Sequence, residues 1–528
     1  MTAGTYPSRE RTRHRLKLVA AGVGAAAVAA MLAACSPSGS GSSGGSSAST
    51  GGGATFVVAR TGDIDKLDPQ LSTAFQTQET LQLVYSTLVK TDANGQIVGD
   101  LATKWDTSAD GMTVTFTLRG GVSWQDGTPF TSADVKASIE RILNQTTGAV
   151  ARSNLLAIKS VDAPSTDTVV LHLSASSAAL LYSLASVNSS IESAKDIGAG
   201  TVGKTPNGTG PFAWKQWNQG QQVVLTANKS FFGGAPKIGT LEFRVIPDES
   251  SILSGMKAGA FQLGMISDPG VAKQASGDSS YNLVKQPALS YHALMLNGRR
   301  GPLQNEQVRQ AISCAVDRNQ VLQTAAYGDG TVTGPITSPA FNYSPTDGLP
   351  CTPGDTGKAK SMLAAAGYPG GFNLNTIVET GEYATAVAEA QNLQSQLSKI
   401  GVTLQLQQLP TAPYVTTWLA ANFDAAVALN GGSYDPYLMY GRYYVPGGSL
   451  TKPGGLDSPA LSSLLVQGNA TNNDAQRQTI YQNLQKQLLV QSPWVWMFRS
   501  DDYYLVGSKV NGFTARPDEL LSSLATTS

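Results

Sequence analysis

Val387–Leu406, VAEAQNLQSQLSKIGVTLQL, is the stretch whose reading decides the class of fold. Val387, Leu393, Leu397 and Ile400 recur at helical spacing and place an apolar stripe along one face. Gly401 ends the helix, and Val402, Leu404 and Leu406 then alternate as strand residues do. Helix, glycine, strand in that order is a unit of an open α/β sheet. Upstream, Thr113–Leu118 (TVTFTL) has period two, with Val114, Phe116 and Leu118 on one face. Asp126-Gly127-Thr128-Pro129 reads as a turn. Thr131 then caps a helix whose apolar side carries Val135, Ile139, Ile142 and Leu143. Val308, Ala311, Ile312, Ala315 and Val316 form a further helical stripe. Ile191–Ile197, by contrast, is polar and charged, and no repeat of fixed period runs through the chain.

Length and charge narrow the function. At 528 residues a single core stops growing, so at least two lobes are expected. Charged residues make up 14% of the chain, well below the usual quarter. Arg9, Arg11, Arg13, Arg15 and Lys17 crowd the N-terminus. Without that segment acids outnumber bases, so nothing remains to neutralise a row of phosphates, and nucleic acid is excluded as a partner.

The basic stretch precedes an uncharged run, Leu18–Ala34, the pattern of a secretory signal peptide over residues 1–34. Leu32-Ala33-Ala34-Cys35 resembles the lipobox of bacterial lipoproteins, in which the cysteine carries the lipid. No adjacent Arg-Arg pair precedes it, which favours the general secretory route. Residues 36–53 are almost wholly Ser, Gly and Ala, a tether with a root-mean-square reach of about 23 Å. The expectation is a protein held by lipid on the outer face of the cytoplasmic membrane.

An ordered series carries a wider resemblance: Leu67-Asp68-Pro69, Tyr85-Ser86-Thr87-Leu88-Val89, Gly99-Asp100-Leu101-Ala102 with Trp105, and Gly127-Thr128-Pro129-Phe130-Thr131. Gly208-Thr209-Gly210-Pro211-Phe212, Phe243-Arg244-Val245-Ile246-Pro247-Asp248 and Ala315-Val316-Asp317-Arg318 follow. The series is similar to family 5 extracellular solute-binding proteins and spans nearly the whole exported chain. The resemblance implies an α/β, two-lobed, periplasmic-binding-protein-like (type II) fold with an extra subdomain inserted in the first lobe. Lobe one is expected from 54–91, 211–296 and 494–528, the insert from 92–210, and lobe two from 297–493. It also implies a monomeric receptor, not an enzyme, that passes a peptide or peptide-like solute to an ABC permease. Nickel-chelate, modified-metabolite and signalling receptors of the same fold are the alternatives.

Ligand candidates are aromatic and glycine-bearing loops at predicted strand ends. They are Thr73, Ala74 and Phe75 after Ser72 in lobe one, and Gly381, Glu382 and Tyr383 in lobe two. Asn430, Gly431, Gly432, Ser433, Tyr434 and Asp435 form a second lobe-two loop, and Trp496 stands near the expected hinge. Peptide-binding members of the family place an Asp three residues before the Asp-Pro of that loop, where Gly432 stands here. Nickel-chelate members place a His where this chain has Tyr437. Both anchors are missing, so blocked, modified or larger peptide-like solutes are expected over free-amine di- and tripeptides.

Other motifs carry little. Gly198–Thr205 (GAGTVGKT) matches a phosphate loop by letter but lacks a buried strand before it and a helix after it. Gly41–Gly45 matches a nucleophile elbow inside the tether. Among three histidines, His172 and His292 read as strand residues, and no cofactor, metal or catalytic set is expected. Cys314 and Cys351 are an even pair in an exported chain, which favours a disulfide over two unrelated thiols.

Overall fold

The computed structural model describes residues 55–341, 343–380 and 383–528. The signal segment, Cys35 and the tether lie outside the described residues, as do Gly381 and Glu382. None of the described helices is long and apolar enough to cross a membrane.

Two mixed sheets organise the chain. One has seven strands in the order Tyr281–Pro287, Asp501–Gly507, Leu263–Ile266, Thr55–Arg60, Thr240–Val245, Gln222–Ala227 and Phe212–Asn218. The other has six: Thr331–Val332, Trp494–Arg499, Tyr291–Leu296, Ala425–Asn430, Phe372–Glu379 and Val402–Leu409. The stretch read first behaves as its pattern dictates. Helix Ala386–Ser398 buries Leu393 and Leu397, Gly401 turns with φ +83°, and strand Val402–Leu409 buries Val402 and Leu404. Only glycine adopts that φ without strain. Thr113–Leu118 is a strand, and Thr131 caps helix Ser132–Leu143, its amide donating to Asp134 at 2.8 Å.

The sheets are joined by an antiparallel ribbon. Pro287 pairs with Asp501 in the first sheet, His292 pairs with Phe498 in the second, and between them Ala288 N donates to the Ser500 carbonyl at 3.2 Å. Only residues 288–290 and Ser500 lie between the sheets. Two such short crossings can bend with few dihedral changes, the geometry of a hinge. The crossing also corrects the expected boundaries. Tyr291–Leu296 and Trp494–Arg499 belong to the second sheet, because each is sandwiched between two cores and buried on both faces. The boundary at 91/92 likewise cuts a hairpin, since Val89–Thr91 pairs with Ile97–Gly99.

Within residues 88–191 a four-stranded antiparallel sheet, Ala102–Thr107, Thr113–Leu118, Thr168–Leu173 and Ile158–Ser165, packs with helix Ser132–Leu143 around its own core. In lobe two the structure joins Cys314 to Cys351, with Cα atoms 5.8 Å apart. Closing a loop of 37 residues stabilises by ~3–4 kcal/mol in the chain-entropy model.

Candidate functional site

The loop 430–435 leaves strand Ala425–Asn430 beside the crossing ribbon. Asn430 pairs with Tyr291, and its carboxamide oxygen accepts from the Tyr443 hydroxyl at 3.1 Å. Its amide nitrogen is buried without a hydrogen-bond partner among the described residues. Space around Gly431 is open, whereas a Cβ at Gly432 would sit 1.9 Å from the carbonyl oxygen of Leu289 on the ribbon. Leu289 is itself held from both sides. Its amide donates to the Pro517 carbonyl at 2.9 Å, and its carbonyl accepts from Thr337 Oγ1 at 2.5 Å. Gly432 is therefore glycine for room, and no aspartate fits there.

Asp435 is occupied. It caps helix Pro436–Tyr444 by accepting from Tyr437 N at 2.8 Å. Its other oxygen, Oδ2, pairs with Arg477, and the Tyr481 hydroxyl donates to the capping oxygen Oδ1 at 3.3 Å. Burial lifts this carboxyl above its usual value, and Arg477 opposes the rise. Ser433 Oγ accepts from Asp435 N at 3.3 Å, which holds the turn. Tyr434 is buried, its ring stacked at 6.2 Å on Tyr182 of the inserted sheet's side of the molecule.

The remaining expected residues are dispersed. Trp496 is 1% exposed, donates from Nε1 to the Tyr440 hydroxyl at 2.9 Å, and packs among Trp494, Tyr440 and Tyr291. Its strand has a core on either face, so the aromatic alternation marks packing and Trp496 is a core residue. Tyr383 is half-buried, with its ring edge-on to His292 at 5.2 Å. Thr73 is exposed, Ala74 precedes helix Phe75–Leu81, and Phe75 opens it. Asn188 Nδ2 donates to the carbonyls of Pro69 and Ser72 at 2.7 and 2.8 Å, which ties this loop to the insert.

The crossing also carries a cluster of acids from segments far apart in the sequence. Glu79, Asp502 and Glu519 gather beside Ser290, whose Oγ donates to Glu519 Oε1 at 3.3 Å. The ion pair of Arg60 with Glu79 at 3.0 Å brings in one guanidinium. Burial, with Glu79 and Asp501 nearby, pushes the Asp502 carboxyl up to about 8. Burial and Asp502 raise Glu519 well above the carboxylate range. The Asp501-Asp502 doublet directly after an apolar strand was the available signal. A carboxyl raised on folding binds its proton more tightly in the folded chain, so stability falls as pH rises from about 4 through about 8. Asp502→Asn is expected to stabilise the protein by about 2 kcal/mol at pH 8 and to flatten that decline. Thermal unfolding of both proteins between pH 5 and pH 9 measures it; parallel curves for the two would refute the assignment.

A cavity of about 530 Å³ lies elsewhere, lined by Lys90, Arg119, Phe232, Arg516 and other residues outside 291–499. A trap that closes between lobes needs walls from both, so this cavity is not the capture site. Gly198–Thr205 begins in the last turn of helix Ala194–Ala199, with Gly200 N donating to the Ile197 carbonyl at 3.2 Å. That stretch meets a helix C-terminus, where carbonyls and not amides face out.

The model of the bacterial extracellular solute-binding proteins, family 5, matches residues 96–450. The chain belongs to this family. Its likeness to other family 5 proteins extends over nearly the whole chain. The glutathione-binding protein GsiB of Pectobacterium atrosepticum is 26% identical over 496 residues, covering 88% of this chain and 92% of its own. The probable D,D-dipeptide-binding periplasmic protein DdpA of Escherichia coli K12 is 26% identical over 478 residues, covering 87% and 91%. The structure of AgaA from A. tumefaciens R10 in complex with agropinic acid superposes with a TM-score of 0.81 at 28% identity, covering 90% of this chain and 98% of AgaA. The family 5 fold is thus the two-lobed one, here with a ribbon hinge between the lobes.

Proposed function

We propose that this family 5 receptor captures a modified or blocked peptide-like solute between its lobes and delivers it to an ABC permease. The observation that carries the solute class is the loop 430–435. It offers no free carboxylate for an α-ammonium group, because Gly432 has no room for one and Asp435 is committed to Arg477 and a helix cap. A buried ammonium without its counter-charge costs several kcal/mol. The open glycine backbone and the Asn430 amide suit neutral amide and carbonyl groups instead. Relatives described as binding glutathione or a D,D-dipeptide, and one complexed with agropinic acid, support a modified solute; glutathione and D,D-dipeptides keep a free amine, so the case against that amine rests on the loop alone. Titration calorimetry with unmodified di- to pentapeptides and their N-acetylated forms is the test. Weak binding of the free-amine set is expected; sub-micromolar binding abolished by acetylation would sink the reading.

The same reading places the receptor outside the cytoplasmic membrane, exported by the secretory route, monomeric and held by lipid on Cys35, with no chemical step of its own. The support is the Leu32–Cys35 box and the tether that follows it. Cys35→Ala is expected to release the protein into the medium or leave it unprocessed, read by fractionation and by mass. A processed variant that stays on the membrane as well as the wild type would remove the anchor.

A further inference from the structure

Two contacts bridge the inserted subdomain and lobe two, one at the end of helix Pro459–Ala470 and one at Tyr434 of the loop 430–435. In the first, the end of the lobe-two helix Pro459–Ala470 meets the start of helix Leu180–Leu184 in the insert. Ala178 N donates to the Asn469 carbonyl at 2.7 Å, Ala179 N to Asn469 Oδ1 at 3.0 Å, and Ser177 Oγ to the same oxygen at 3.3 Å. These groups are among those a helix end cannot satisfy internally, so each segment completes the other. In the second, the Tyr434 ring fills the space over Gly95 at the hairpin tip. A Cβ at Gly95 would lie 2.3 Å from that ring, and the φ there is +76°. Tyr182 stacks on Tyr434 at 6.2 Å and donates from its hydroxyl to the Gly95 carbonyl at 3.3 Å.

A single residue joins the two contacts inside lobe two. Arg477 pairs with Asp435, next to Tyr434, and donates from Nε to the carbonyl of Gly468, next to Asn469, at 3.2 Å. Both lobe-two contact points are therefore tied to one guanidinium.

We propose that the inserted subdomain is the latch of the trap: Ser177–Ala179 and Gly95 with Tyr182 grip Asn469 and Tyr434 when the lobes close, and Arg477 keeps the two grips in register. These are positioning residues for capture. The proposal rests on the reading of lobe closure given above and adds which surfaces hold the closed form. Opening about the ribbon must break these contacts, so they set how long a solute is retained.

The test is a Ser177→Cys/Asn469→Cys double variant of the exported chain, stripped of solute and oxidised, with the 177–469 linkage read by peptide mapping. Both positions are half-exposed, so the new side chains need no core space. The linkage is expected in most molecules, and adding Tyr182→Ala is expected to slow its formation roughly fivefold, the effect of one modest contact on a two-state equilibrium. Linkage in under roughly a tenth of natively folded molecules, or a rate unmoved by Tyr182→Ala, overturns the latch. As a second measurement on a milder variant, Asn469→Ala is expected to speed amide exchange at Ala178 and Ala179 roughly tenfold; unchanged exchange also overturns it. Linkage formation needs no peptide, so its failure is distinct from failed peptide binding.

Discussion

Gly432→Asp, which introduces the aspartate that the family resemblance implies for amine binding, is expected to damage the receptor and gain no amine affinity. The first added atom lies 1.9 Å from the Leu289 carbonyl oxygen and 2.4 Å from its carbon. Both are backbone atoms of a segment pinned by Pro517 and Thr337, so they cannot rotate away as a side chain does. Overpacking costs 1–3 kcal/mol where neighbours can shift, and a collision with fixed backbone belongs at or above the top of that range, about 3 kcal/mol. Gly432→Ala separates space from charge and is expected to lose nearly as much. Thermal unfolding together with calorimetry against free-amine tripeptides reads both effects. A stable Gly432→Asp protein that binds those tripeptides tightly would show that the loop moves away from Leu289 and that the solute reading is wrong.

Arg477→Ala is expected to cost about 3–5 kcal/mol, because it leaves the Asp435 carboxylate, with 0% side-chain exposure, without its counter-charge. The sign of its pH dependence follows from the same burial. Desolvation already raises Asp435, and Arg477 is the main force lowering it. Without the guanidinium the folded carboxyl titrates higher still and takes up a proton on folding, so the loss is larger at pH 8 than at pH 5. Asp435→Asn in the Arg477→Ala background removes the stranded charge and is expected to recover part of the stability at pH 8. Unfolding of the single and double variants at the two pH values decides it. Equal losses at both pH values would mean that Asp435 does not carry the charge assigned to it.

How much of this protein is legible in its sequence depends on the range over which each feature is decided. The stripe Val308–Val316, the alternation Thr113–Leu118, the cap at Thr131 and the stop at Gly401 are local. Each follows from the 3.6- or 2-residue period and from backbone preference, and the structure keeps all four. The ordered motif series carried the family and its two-lobed fold. The duties of individual site residues were another matter. Asp435 reads from the sequence as a ligand-loop residue, and only Arg477 and Tyr481, 42 and 46 residues downstream, commit its carboxylate elsewhere. Trp496 read as a cleft aromatic because alternation shows that a strand has two faces, not that both are covered. Only the packing of two cores on Trp494–Arg499 makes it interior. The sequence by itself therefore determined the elements and the family, because those rest on patterns along the chain. The pairing of the ribbon residues, the committed aspartate, the acids beside Ser290 and the grip of the insert on Asn469 were decided by tertiary structure alone, because each is a contact between segments whose distance in sequence says nothing of their distance in space.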